Sequence, residues 1–76
     1  MNKIKGMIDV YFEDENGGIV IVDYKTDKVK NNINDLVSRY APQLKFYEKA
    51  LQKSLGKNVS EKHLFFMDTG DIIAVD

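Results

Sequence analysis

The sequence predicts an α/β fold, ordered β-β-α-β-β, with one sheet and one main helix. Three observations point there. Residues 4–12 alternate in character. A β-branched run follows an acidic, glycine-containing turn. Apolar residues then recur at helical spacing from about Asn34 to Leu55. One amphipathic helix laid on one sheet is a standard two-layer solution.

The first strand is expected over Ile4 to Phe12. Ile4, Gly6, Ile8, Val10 and Phe12 share one face, and Lys5, Met7, Asp9 and Tyr11 the other, which is strand periodicity. Glu13-Asp14-Glu15-Asn16-Gly17-Gly18 reads as a turn. Ile19-Val20-Ile21-Val22-Asp23-Tyr24-Lys25 is β-branched and aromatic, so it is a second strand and closes a hairpin. The polar stretch Thr26 to Asp35 reads as a loop.

Leu36, Val37, Tyr40, Leu44, Tyr47, Leu51 and Leu55 are then spaced by three and four along a helix. Pro42 lacks an N–H, so the expectation is a short helical turn before it and a firm helix from about Ala41 to Leu55. Gly56 stops it. His63-Leu64-Phe65-Phe66-Met67 and Asp71-Ile72-Ile73-Ala74-Val75 are two more strands, with Asp68-Thr69-Gly70 turning between them.

Composition bounds what such a chain does. At 76 residues it is one small domain or a piece of a larger protein, and a domain of that size buries only about 60% of its unfolded surface. Hydrophobic residues at 43% and charged residues at 30% are ordinary for a soluble globular protein. No apolar run approaches the ~18 residues of a membrane span, and no apolar segment follows the first residues as in a signal peptide. Cysteine is absent, which excludes disulfide scaffolds and iron–sulfur sites held by this chain and fits a cytoplasmic setting. The net charge of -1 is not that of a general polyanion binder, so any contact with nucleic acid falls to a local site.

The informative residues are Asp9, Asp23 and Lys25. Asp and Lys do not favour strands. Asp23 follows four β-branched residues, and Lys25, two further on, shares its sheet face. If Glu15-Asn16-Gly17 is a three-residue loop with Gly17 left-handed, Asp14 pairs with Gly18 and Asp9 lands opposite Asp23. A two-residue Asn16-Gly17 turn instead puts the two aspartates on opposite faces. The sequence leaves both turns open. In the first register, two carboxylates across a strand pair need a counter-charge. Oxygen-only donors suit Mg²⁺ or Mn²⁺. Lys25 beside them is placed to stabilise charge developing on a phosphoryl group, and a metal would lower the pKa of an attacking water. These are the parts of metal-assisted phosphodiester hydrolysis. The plainer alternative is a solvated Asp23–Lys25 ion pair of little consequence.

Gly6-Met7-Ile8-Asp9, then Asp23-Tyr24-Lys25-Thr26-Asp27, then Gln43-x-x-x-Tyr47, with Tyr40 before the Gln and Ala50-Leu51 after the Tyr, resembles the nuclease domain of the AddA/RecB helicase–nucleases of the PD-(D/E)XK superfamily. The resemblance implies a restriction-endonuclease-like core with a mixed sheet, spanning residues 1–76 as a single partial nuclease domain. It implies Asp9 and Asp23 as metal-binding carboxylates, the backbone carbonyl of Tyr24 as a further ligand, and Lys25 as the catalytic lysine. Gln43 and Tyr47, one helical turn apart, would border the site and place the DNA. It further implies Mg²⁺ (or Mn²⁺) as cofactor. The implied partners are DNA and the second subunit of a helicase–nuclease complex, with no membrane. The function it implies is DNA cleavage by an ATP-dependent enzyme of recombination and double-strand break repair. A catalytically inactive nuclease-like module that binds DNA or a partner is the alternative. Only five residues precede Gly6, so the helix and strand that the family carries upstream are missing here. The resemblance therefore implies a core truncated on its N-terminal side.

Among the other residues, the lone His63 reads as structural or exposed. Lys45, Lys49 and Lys53 read as a solvated helix face, with Lys57 beyond. Lys28 and Lys30 follow the active-site strand and are better placed to touch DNA.

Overall fold

The computed structural model describes residues 10–76 of the chain. Within them β1 (Val10–Glu13), β2 (Ile19–Lys25), α1 (Ile33–Leu55), β3 (Val59–Phe66) and β4 (Asp71–Val75) follow in order. The strands form one four-stranded sheet in the order β1-β2-β3-β4. β1 and β4 run antiparallel to their neighbours, and the central pair β2–β3 is parallel, joined by the helix. The sheet is mixed, as expected. The predicted residues 4–9 of the first strand lie outside the described residues.

The hairpin adopts the three-residue turn. Gly17 sits at φ 84, the left-handed conformation that glycine adopts without steric cost. The Asp14 amide donates to the Gly18 carbonyl at 2.7 Å, and the ladder continues with Glu13 opposite Ile19 and Val10 opposite Val22. The Asp14 side chain ties this turn together. Its Oδ1 accepts the Asn16 and Gly18 amides at 2.9 and 2.8 Å, and its Oδ2 accepts the Ser60 hydroxyl at 2.7 Å. Ser60 is the residue left over where the β2–β3 register shifts between Ile19 and Val20.

Two expectations need correction. The helix is one continuous element of 23 residues with Pro42 inside it, not a short turn followed by a helix from Ala41. Pro42 has no N–H for the carbonyl of Ser38, but both residues are exposed, so water can meet that carbonyl on the outer side. On the inner side Leu36, Leu44, Tyr47 and Leu51 are buried, and this packing holds the helix together across the proline. The third strand begins at Val59, four residues before the predicted His63, and ends at Phe66. Its polar opening is strand because Ile19 and the residues after it supply the parallel partner. Lys62 is buried in this segment and pairs with Glu48 of α1 at 2.9 Å.

α1 ends as predicted, with Gly56 at φ 67 and its amide bonded to the Gln52 carbonyl. The helix covers one sheet face. Ile19 and Ile21 of β2 and Leu64 and Phe66 of β3 form the core there with Leu36, Leu44, Tyr47 and Leu51. On the opposite face Phe12, Tyr24 and Ile72 are exposed. No helix among the described residues is long and apolar enough to cross a membrane.

Candidate functional site

The helix-facing row of β2 runs Ile19, Ile21, Asp23, Lys25. The first two are core residues, and Asp23, although charged, is as buried as they are, at 3% exposure. A carboxylate so placed needs strong compensation. Lys25 supplies much of it, its Nζ lying 3.0 Å from Asp23 Oδ2. The Lys25 ammonium also donates to Gln43 Oε1 at 3.0 Å and sits 4.0 Å from the centre of the Tyr40 ring. One flexible side chain is thus fixed by a carboxylate, an amide oxygen and an aromatic face, the last worth about 0.5–2 kcal/mol depending on desolvation.

Tyr40 is anchored in turn. Its hydroxyl donates to Asp27 Oδ2 at 2.9 Å, with Oδ1 at 3.1 Å. That hydrogen bond, then burial, pushes the Tyr40 phenol above its ordinary value of 10.0. Asp27 follows Lys25 by two residues, just past the end of β2. The next stretch of loop is pinned to the β3–β4 turn, where the Val29 amide donates to Asp68 Oδ2 at 3.1 Å.

The structure therefore brings Asp23, Lys25 and Gln43 together. Tyr24 lies between the first two with its ring on the opposite face, edge-on to Phe65. Tyr47 is 3% exposed and belongs to the core, one helical turn beyond Gln43. Asp9 lies outside the described residues. Sequence reading gave no role to Asp27 or to Tyr40. The available signal was the spacing of Tyr40 and Gln43, three apart and so neighbours on a helix surface. His63 pairs with Glu61 at 2.8 Å. Lys45, Lys49 and Lys53 are exposed on α1, Lys57 pairs with Glu13, and Lys28 lies 3.7 Å from Asp68.

Among the described residues no group of three His, Cys, Asp or Glu side chains is gathered as a metal cluster. What they offer is one buried carboxylate at the end of a strand, beside a main-chain carbonyl. These are hard oxygen donors, and their chemistry fits Mg²⁺ or Mn²⁺ and not a thiophilic metal.

The model of the PD-(D/E)XK nuclease superfamily matches residues 2–74. The chain belongs to that superfamily. Its mixed sheet with one covering helix agrees with the restriction-endonuclease-like fold of these nucleases. It is also 47% identical over 73 residues to the AddA-type ATP-dependent helicase/nuclease of Clostridium botulinum (strain Hall), a match covering 96% of this chain and 6% of that protein. The protein of the same name from Lachnoclostridium phytofermentans is 47% identical over 73 residues, covering 95% of this chain and 5% of its own length. This PD-(D/E)XK chain thus spans about 6% of the length of such curated relatives.

Proposed function

We propose that the chain is the Mg²⁺-dependent DNA nuclease core of an ATP-dependent helicase–nuclease. The whole protein would work with a second subunit in recombination and double-strand break repair, in the cytoplasm. The observation that carries this reading is the buried Asp23 held 3.0 Å from Lys25, on a chain of a nuclease superfamily. A charged pair at the end of a core strand is costly unless it is used.

In this reading Asp9, Asp23 and the Tyr24 carbonyl hold the cation. The hairpin register supports that set, because continuing the observed ladder from Val10 opposite Val22 reaches Asp9 opposite Asp23. The cation, when bound, supplies Lewis acidity for phosphodiester hydrolysis. Lys25 presents a fixed positive charge to the phosphate oxygens, preorganised by Asp23 and Gln43, so little reorganisation is needed as negative charge builds. Gln43, exposed beside Lys25, positions the DNA backbone. Tyr47, from the core, fixes the helical turn that carries Gln43.

The test is cleavage of end-labelled duplex DNA by the full-length protein in Mg²⁺, with melting curves alongside. Asp23→Asn and Lys25→Ala should each abolish cleavage. Mg²⁺ should raise the melting temperature of the parent and leave that of Asp23→Asn unchanged, since only a cation bound to the folded state stabilises it. DNA binding without any cleavage by the parent would establish the inactive-module alternative.

A further inference from the structure

Asp27 and Tyr40 have no part in the roles above, yet they form a closed chain of contacts with the lysine. Asp27 accepts the Tyr40 hydroxyl at 2.9 Å, and the Tyr40 ring lies 4.0 Å from Lys25 Nζ. We propose that Tyr40 and Asp27 are positioning residues for Lys25, the ring carrying the ammonium and the carboxylate fixing the ring. This rests on the nuclease reading of Asp23 and Lys25.

The geometry explains why two further groups are used. Asp23 and Gln43 each bond Lys25 at 3.0 Å, but both draw the ammonium through single atoms and neither limits it along the remaining direction. The lysine stem has four rotatable carbons and a strongly hydrated head. An aromatic face set against that head closes the direction without consuming a donor, leaving N–H groups for a phosphate. A phenol that donates to a carboxylate becomes more electron-rich, which strengthens the ring's attraction for the cation. The same hydrogen bond spans from α1 to the loop directly after β2, so the ring's position is tied to the strand that carries Lys25. Misplacing a catalytic group by about 1 Å can cost up to about a hundredfold in rate.

The experiment measures kcat and KM for cleavage of a labelled duplex in Mg²⁺ by the full-length protein and its variants. Tyr40→Leu removes the ring and should lower kcat about tenfold or more, with KM for DNA within about twofold of the parent. Tyr40→Phe keeps the ring but frees it from Asp27, and Asp27→Ala frees it from the other side. Each should lower kcat about threefold to tenfold, and the double variant should be no worse than the poorer single, because both break one contact. Asp27→Asn retains an oxygen acceptor and should restore kcat to within about twofold of the parent. If Tyr40→Leu does not fold, the Tyr40→Phe and Asp27→Ala cycle decides alone. Parent-like kcat in Asp27→Ala, losses that multiply in the double variant, or a loss confined to KM would overturn the proposal. Asp23→Asn is the control. If it is inactive while the Tyr40 and Asp27 variants cleave normally, only the positioning role falls. If it cleaves like the parent, the nuclease reading falls and takes the positioning role with it.

Discussion

Lys25→Met keeps the length of the side chain and removes its charge, leaving the Asp23 carboxylate, 3% exposed, without its ammonium. At 3.0 Å and an effective dielectric of about 20, the lost attraction is about 5–6 kcal/mol. Mutational data for pairs broken on one side give about 3–5 kcal/mol. The Lys25 side chain keeps 15% exposure, so screening places the cost at the lower end, about 3 kcal/mol. For a domain of this size that corresponds to a melting temperature lower by about 12–24 °C. The assay is thermal unfolding of the 76-residue chain followed by circular dichroism in EDTA, which keeps divalent cations from replacing the lost charge. Adding Asp23→Asn to Lys25→Met removes the uncompensated charge and should recover at least half of the loss. Two results would refute the reasoning. One is a Lys25→Met variant that melts within about 3 °C of the parent. The other is a double variant less stable than Lys25→Met itself, which would show that the pair is not electrostatically coupled.

Two further expectations concern the scaffold. Leu44 is fully buried whereas Phe46, two residues on, is 63% exposed; Leu44→Ala should cost about 2–5 kcal/mol in urea unfolding and Phe46→Ala under about 1 kcal/mol, and equal costs would contradict the helix orientation. Hydrogen bonds from Ser60, Gly18 and Asn16, in that order, hold the Asp14 carboxyl below its ordinary 3.8. A carboxyl depressed in the folded state stabilises above its unfolded pKa and loses that contribution as pH falls through the folded value. Acid melts below about pH 4 should therefore be less steep for Asp14→Asn than for the parent, and identical slopes would show that the turn does not depend on this charge.

Much of the architecture was legible because its signals are local. The β-branched run of β2, the helical spacing of Leu36, Leu44, Tyr47 and Leu51, and Gly56 as a stop each report on their own segment. Pro42 misled because its local penalty is outweighed by packing on the face it does not touch. The start of β3 was hidden because Ser60, Glu61 and Lys62 are polar, and they are strand only through β2 and, for Lys62, through Glu48 on the helix. At the candidate site, Asp23 and Lys25 stood out as charges in a strand. The turn that sets the Asp9 register was undecided between two hairpin types, and the described ladder follows the one closed by Gly17. The contacts of Tyr40 with Asp27 and Lys25 carried no signal of their own, because they join residues that meet only once the helix lies on the sheet.

The parallel pairing of β2 with β3 has a consequence for how the chain acquires its chemistry. Both hairpin-like pairs, β1–β2 and β3–β4, bring near neighbours together and close cheaply. The central pair forms only after the whole of α1 has been looped back between its strands, the slowest class of contact to make. Asp23 and Lys25 are on one side of that closure, and Gln43 and Tyr40 are on the element that performs it. Partly folded or newly synthesised chains therefore hold the charged pair without the groups that orient it. Competence to cut arrives late in folding, together with the central sheet.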